Sequence, residues 1–563
     1  MELLIRNGFV YDPINGVKGE RMDVAVKDGK IVDRVNERAA KVLDVSGMLV
    51  MSGGVDIHTH IAGAEVNTGR LLRPEDHFKD FERKTILTRS GVGRSVPSTF
   101  TTGYRYSRMG YTTIMNPSMP PLEAKHTHEE LNDTPMVDKA SYPLLGDWWF
   151  TLEFLSSGNI EELARYVAWI MKSTRGYAIK VVNPGGLEAW GFGGNVKSLD
   201  DQVPNFCITP REIVRGLCKV NTMLNLPHTV HLHTNNLGKP GNFETTLETM
   251  KSVEDLGSRG KPVIHITHCQ FSAFEGDDWR SLASGADKIA DYVNNHSHVT
   301  LDMGQVIFTD TTTMTADGPF QFGLYELTGN KWTNHDVETE TSAGIVPFHY
   351  RRKNYVHSIQ WTIGLELALL IKDPWKIFIT TDHPNGGPFT SYPRIIAWLI
   401  SKKARKATLR KINARARSRS ILPSIDRELD FNEIAIMTRA GQARALGLVN
   451  KGHLGVGADA DIAIYKVNPD KTDTSKQYKA VRKAFKRAAV TIKSGQIVVK
   501  DGEIVQNVDG STIWLDVDVS KQAHITDEIK HKFRQYWTVE FENYPVTEHY
   551  LKASRPIPVK ADV

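Results

Sequence analysis

The sequence predicts an α/β protein: a (β/α)8 barrel of the TIM type joined to a small β-sandwich built from both termini. Three observations predict it. Segments of strand and helix character alternate through the middle of the chain and supply eight strands. Hairpin signals recur at both ends, around that long middle. The first middle strand, approached through Met48-Leu49-Val50-Met51, runs into Gly53-Gly54-Val55-Asp56-Ile57-His58-Thr59-His60 and ends in two histidines spaced i, i+2.

Residues 1–53 are expected to form the N-terminal part of the β-sandwich, and 1–47 read as hairpins. Leu3-Leu4-Ile5-Arg6 meets Asn7-Gly8, and Val24-Ala25-Val26 meets Lys27-Asp28-Gly29, turn pairs that tolerate positive φ. The barrel is expected over 54–440. Its strands are expected near 50–57, 111–116, 143–150, 177–182, 229–233, 263–266, 299–302 and 376–380. Between them, Leu163, Val167, Ile170 and Met171 recur at helical spacing. Thr209-Pro210-Arg211-Glu212 is a capping box with proline at the first helical position. A doubly wound sheet is disfavoured, because no glycine fingerprint follows the first strand. Residues 441–510 return to hairpin grammar at Lys493-Ser494-Gly495 and Lys500-Asp501-Gly502, and 511–563 form a C-terminal extension. The connections 61–110 and 304–375 are unusually long. Barrel sites sit where strands lead into helices, so both are expected to cover an extended substrate.

Composition excludes several classes. Hydrophobic residues make up 40% and charged residues 24%, ordinary for a globular protein. A net charge of +5 over 563 residues is weak evidence for a nucleic-acid partner, and none is expected. The three cysteines, Cys207, Cys218 and Cys269, contain no Cys-x-x-Cys, so this chain is not expected to hold an iron–sulfur cluster alone. No apolar stretch reaches the roughly 18 residues of a membrane span, and the start is too quickly polar for a signal peptide. The expected location is the cytoplasm.

On a strand, alternate side chains share a face, so His58 and His60 point the same way. Two convergent imidazoles at a strand end suit a divalent metal. The competing reading, a hydrogen-bonded surface pair, is disfavoured by the Gly-Gly-Val-Asp-Ile run before them. Lys180 ends the strand at 177–182 on the face of Ala178 and Val182. Burying an ammonium is costly. The lysine therefore reaches solvent at the barrel mouth or is converted by carbon dioxide to a carbamate, an anionic ligand that can bridge two metals. His233 ends the next strand, with His231 deeper on its face. His265-Ile266-Thr267-His268 offers two candidates, which alternation sends to opposite faces unless the strand ends between them. Thr380-Thr381-Asp382-His383-Pro384 closes the eighth strand with a carboxylate that can bind metal and accept a proton; the alternative role is a helix N-cap. His126 and His128 sit in polar sequence after Pro120-Pro121 and read as a loop or helix start; His296 and His298 read as a polar turn before a strand.

Further motifs carry a family resemblance: Arg105-Tyr106-Ser107-Arg108-Met109-Gly110-Tyr111-Thr112-Thr113, Asn183-Pro184-Gly185-Gly186, His231-Leu232-His233-Thr234-Asn235-Asn236-Leu237-Gly238, Asp302-Met303-Gly304-Gln305-Val306 and Thr381-Asp382-His383-Pro384-Asn385-Gly386-Gly387-Pro388. With them the chain resembles, over nearly its whole length, the formylmethanofuran dehydrogenase subunit that belongs to the amidohydrolase superfamily. It more distantly resembles the related component of bacterial formyltransferase/hydrolase complexes. The resemblance implies a dinuclear zinc enzyme that interconverts N-formylmethanofuran and formate plus methanofuran within a multi-subunit complex. It places the tungsten or molybdenum pterin and the iron–sulfur clusters in partner subunits only. The family's metal ligands carry over to His58, His60, an N6-carboxylated Lys180, His233 and either His265 or His268; similarity to dihydroorotases and hydantoinases favours His265. Asp382 carries over as ligand and proton acceptor. Arg105, Arg108, Asn235 and Gln305 are candidates for binding the anionic, extended substrate.

The run from Lys402 to Arg419 holds nine cations and no acid. It reads as a solvated helix face, with a partner-docking surface or an aid to an anionic substrate as alternatives. Two other functions compete with the main reading. One is a free-standing cyclic amidase or N-acyl amino acid deacylase on the same barrel. The other is a non-catalytic scaffold, disfavoured because the ligand set is complete.

Overall fold

Eight short strands of the middle segment carry the site. They are β1 (Gly54–Asp56), β2 (Tyr111–Met119), β3 (Asp138–Pro143), β4 (Lys180–Val182), β5 (Val230–His233), β6 (Ile264–Ile266), β7 (Val299–Asp302) and β8 (Ile377–Phe378). The computed structural model describes residues 2–257, 261–335, 339, 343–519 and 527–561. β1, β2 and β3 are parallel neighbours in one sheet, and β4 to β8 are parallel neighbours in a second. Single parallel bridges, Leu144 to Lys180 and Thr59 to His383, link the two sheets at either side. Helices Ile160–Ser173, Pro210–Met223 and Ala286–Asn295 alternate with the strands and bury Leu163, Val214, Leu217 and Ile289 against them. The capping box at Thr209 forms as expected, with Thr209 and Glu212 bonded reciprocally.

The third strand lies earlier than the sequence predicts. It spans Asp138–Pro143, and Trp149–Ser156 is a helix instead. The run Trp148-Trp149-Phe150 is buried on all sides, and periodicity alone does not separate a buried helix from a buried strand.

Both ends of the chain enter one nine-stranded sheet. The seam is an antiparallel pairing of Leu49–Ser52 with Ile462–Tyr465. Leu3, Ile5, Val26, Val50, Ile462 and Ile492 form its separate core. The extension beyond 510 is part of the fold: Thr512–Val519 pairs in parallel with Ser554–Ala561 and, through Thr512, with Lys139 of β3. An ionic cluster locks β3 to the terminal sheet. Buried Lys451 Nζ lies 2.5 Å from Asp138, 3.0 Å from Asp459 and 2.9 Å from Asp461. Buried Lys493 lies 2.8 Å from Asp138 and 3.1 Å from Asp461.

The two long connections play different parts. Residues 304–375 build a three-stranded antiparallel sheet (Asp310–Thr315, Thr333–His335, Ala343–His349) and helices Gly318–Thr328 and Tyr355–Leu370. Residues 61–110 contribute helices Ala64–Leu72 and Thr99–Arg108. Val66 of the first packs on Met314 and Ile345 of that sheet, and Arg73 donates to Thr312 Oγ1 at 3.2 Å.

The basic run is mostly a solvated face, with Lys403, Lys406, Arg410 and Lys411 exposed, and part of it bonds inward. It forms helices Lys402–Leu409 and Ala414–Ser418. Arg405 is buried and donates to the carbonyls of Trp398 and Arg427, each at 2.7 Å. Arg415 and Arg419 donate to the carbonyls of Arg280 and Ser281. Among the described residues, no helix is long and apolar enough to cross a membrane.

Candidate metal centre

His58 and His60 project from the end of β1. Asp56 prepares this end: its Oδ1 accepts the His58 N–H at 3.2 Å, and the Tyr106 hydroxyl donates to its Oδ2 at 2.6 Å. Burial raises the Asp56 carboxyl to about 7, against the opposing hydrogen bonds from Tyr106 and Tyr392.

His58, His60, Lys180, His233, His268 and Asp382 line one cavity of about 1030 Å³. His58 Nε2 lies 2.9 Å and His60 Nε2 3.3 Å from the same oxygen, Asp382 Oδ1. The His268 ring stands edge-on to His58 and His233, at 5.3 and 4.8 Å between centroids. His58, His268 and Asp382 bring ligand atoms within 4.8 Å of one another.

Register explains which histidines reach this floor. Lys180, His231, His265 and Thr300 are level across β4, β5, β6 and β7. His231 and His265 therefore lie one layer below His233, and their rings stack at 4.7 Å. His265 bonds Asp302 Oδ2 at 3.2 Å and Thr300 Oγ1 at 2.9 Å, and is absent from the cavity lining. This placement reverses the preference for His265 over His268. β6 ends at Ile266, and His268 turns back toward the cavity in a left-handed conformation, φ 34°. The His268 N–H donates to Asp302 Oδ1 at 3.0 Å, which pins that turn. Gly304, itself at φ +61°, makes room for it: a Cβ there would stand 2.4 Å from the His268 Cβ. Asp382 is also left-handed, at φ 47°. Non-glycine residues held in that region cost about 1–3 kcal/mol each and cluster at functional sites.

The donor set fits a metal. His58 Nε2, His268 Nδ1 and Lys180 Nζ are buried and have no hydrogen-bond partner. Native proteins rarely bury such atoms unsatisfied, and an ion beside Asp382 would satisfy both imidazole nitrogens. Burial holds His58 and His268 well below the ordinary histidine range, so they stay neutral, as ligands must be. Burial also works against the charged form of Asp382, but His268 and His60 beside it hold its carboxyl below the usual range. Burial brings Lys180 down to about 8.

Residues 304–375 supply much of the wall, including Thr313, Asp317, Phe320, Phe322, Leu327 and Tyr350. Trp190 and Asn236 add to it. Among the described residues, none of 61–110 lines the cavity. That segment backs the cover and does not form it.

The four expected substrate contacts are structural here, and none lines the cavity. Arg105 is buried and donates to the carbonyls of Gly93 and Asp80. Arg108 pairs with Glu82 at 2.7 Å. Asn235 donates to Asn183 Oδ1 and the Pro184 carbonyl, and Gln305 to the carbonyls of Val306 and Trp361. These contacts hold the four side chains in the fold and away from the cavity.

Two residues escape sequence reasoning. Asp317 Oδ2 accepts from His233 Nε2 at 3.1 Å, while its Oδ1 accepts the Phe320 N–H at 3.1 Å. Its only local signal is a helix N-cap before Gly318-Pro319, which says nothing of the cavity. His228 bonds His231 beneath the floor at 3.0 Å and precedes β5 without a motif.

A parallel α/β scaffold with buried histidine and aspartate donors at its strand ends is that of a metal-dependent hydrolase, and the chain belongs to the amidohydrolase family, whose pattern matches residues 41–499. It is a homologue of FwdA: the sequence is 53% identical to Protein FwdA of Methanocaldococcus jannaschii, over 100% of this chain and 99% of that one. It is 37% identical to one component of the formyltransferase/hydrolase complex Fhc of Methylorubrum extorquens, over 91% of each chain. A chain in the crystal structure of the FhcABCD complex from Methylorubrum extorquens, bound to methylofuran, matches with a TM-score of 0.90 at 34% identity, covering 100% of both chains.

Proposed function

We propose that this chain is the hydrolytic subunit of a formylmethanofuran dehydrogenase complex, interconverting N-formylmethanofuran with formate and methanofuran at a dinuclear zinc centre. One coincidence carries the reading. A chain alike to FwdA over its whole length places six metal-type donors on the floor of a large cavity walled mainly by apolar side chains. In this reading β1–β8 close as a (β/α)8 barrel through the two bridges, with 54–440 as the barrel. The segments 1–53 and 441–510 make the β-sandwich, and 511–563 the extension. Partner subunits carry the tungsten or molybdenum pterin and the iron–sulfur clusters.

The zinc ligands are His58, His60, Lys180, His233, His268 and Asp382, with Lys180 carboxylated. A carbamate forms only from the neutral amine. With Lys180 brought to about 8 by burial, about a tenth of it is neutral at pH 7, against well under a thousandth for a free lysine. Bound zinc would supply Lewis acidity toward the formyl oxygen and the attacking water. The protein's own groups handle the proton. Asp382, ionised at neutral pH, takes a proton from water as the water oxygen bonds to the formyl carbon. The C–N bond then breaks, and Asp382 returns that proton to the departing nitrogen, leaving formate and the free amine. In reverse, the amine attacks the carbon of formate and water leaves. The cover made by 304–375 holds the long remainder of the substrate against Phe320, Phe322 and Leu327.

The test is formate release from N-formylmethanofuran by the zinc-loaded chain and by its complex. Release that disappears in Asp382→Asn supports substrate and residue together. No release from either metal-replete form overturns the reading.

A further inference from the structure

Three buried imidazoles run in line beneath the cavity floor. His58 Nδ1 lies 2.8 Å from His231 Nε2, and His231 Nδ1 lies 3.0 Å from His228 Nε2. His228 Nδ1 lies 2.7 Å from the carbonyl oxygen of Ala445, in the last turn of helix Gly441–Leu446. A carbonyl oxygen only accepts, so His228 carries its proton on Nδ1. A neutral imidazole has a single N–H, so His228 Nε2 accepts and His231 Nδ1 donates. By the same count His231 Nε2 accepts and His58 Nδ1 donates. His58 Nε2 is left with a bare lone pair, and it is the atom 2.9 Å from Asp382 Oδ1. Two such acceptors repel unless a cation lies between them.

The surroundings leave this order intact. Asp302 Oδ2 is 3.7 Å from His58 Nδ1, beyond hydrogen-bond reach, and is occupied by His265 Nε2 at 3.2 Å. His58, His228 and His231 are all buried, and a histidine binds metal only through a bare ring nitrogen.

We infer that the Ala445 carbonyl, acting through His228 and His231, holds His58 in the tautomer that turns its Nε2 lone pair into the cavity. His228 and His231 are positioning residues, and neither lines the cavity. The consequence for metal affinity rests on the zinc reading above; the tautomer does not.

The discriminating variants are at His228. Phenylalanine there cannot accept from His231. Turning His231 over to satisfy its proton would set an N–H against His58 and close the lone pair to the metal. We expect His228→Phe to weaken zinc binding about 10- to 100-fold in chelator competition, the loss usual when a partner that orients a ligating histidine is removed. His228→Gln, whose amide both accepts and donates, should recover most of it. Wild-type zinc affinity in His228→Phe overturns the inference, and so does failure of His228→Gln to bind better than His228→Phe. Should His228→Phe fail to fold, the ring ¹⁵N spectrum of metal-free Asp382→Ala decides, since that variant removes the carboxylate that would draw a proton onto His58 Nε2. The His58 signals, identified by their loss in His58→Gln, should show a protonated Nδ1 and a bare Nε2; the opposite pattern refutes the relay. A wild-type chain that binds no zinc would sink the metal reading and leave the tautomer to this spectrum.

Discussion

Replacing Lys180 with methionine should stabilise the metal-free protein while abolishing its function. The Lys180 amine is 2% exposed and has no hydrogen-bond partner, and burial lowers it from the ordinary 10.5 to about 8. Holding the ammonium there at pH 7 costs the native state about 3 kcal/mol, taking about 1.36 kcal/mol per unit. Methionine keeps the length and removes the charge, so Lys180→Met should gain about that much in urea unfolding. The assay uses chelated, carbon-dioxide-free buffer, so that no carbamate or metal contributes. As for a carboxylate held low, stability rises with pH, but here the low-pH side carries a penalty in place of a gain. Below about pH 8 both folded and unfolded lysine are protonated and the penalty is complete. Between about 8 and 10.5 the unfolded chain binds more protons than the folded one, and wild type recovers with rising pH. The gap should shrink to less than half by about pH 9.5. Zinc should reverse the ranking, because only wild type keeps the full ligand set; a ligand at a thousand times its Kd adds about 4 kcal/mol. Equal or lower stability of Lys180→Met at pH 7, or a gap that ignores pH, would refute the reasoning.

Asp382→Asn should retain zinc by elemental analysis and lose turnover by orders of magnitude, because the amide cannot take a proton from water; near-normal hydrolysis would remove Asp382 from its role. Lys180→Ala should lose at least one metal per chain, and full occupancy argues against a bridging carbamate. Lys451→Ala should destabilise the fold by about 3 kcal/mol in denaturant midpoint analysis, since it leaves Asp138 and Asp461 sharing Lys493 alone in a buried site. Phe320→Ala should raise KM roughly tenfold with little change in kcat, because a half-buried ring on the cavity wall contributes apolar contact distant from the reacting bond.

Local sequence determined a good deal of this protein. The i, i+2 spacing of His58 and His60 placed both side chains at one floor, because strand alternation is a property of neighbouring residues. Lys180, His233 and Asp382 were legible as polar groups in or just after apolar strand segments, although Lys180 opens β4 and does not close it. The hairpin turns at Asp28-Gly29 and Ser494-Gly495 marked two ends whose strands lie in one sheet; Asn7-Gly8, expected as a third turn, is instead a bulge inside the continuous strand Glu2–Asp12, because the pairing with 17–27 carries on past it. Tertiary structure decided the rest. His268 reaches the cavity and His265 does not because β6 stops at Ile266 and because Asp302 and Gly304, more than thirty residues on, hold the turn that follows. Arg105 and Arg108 read as substrate contacts since sequence shows a charge but not the Gly93 carbonyl or Glu82 carboxylate that claims it. Residues 143–150 read as a strand, although Trp149 and Phe150 open a helix, since a short apolar run has no period to follow. Asp317 and His228 carry no signal of their part in the site. Their meaning lies in contacts with His233 and His231, and a contact between distant segments exists only once the chain has closed on itself.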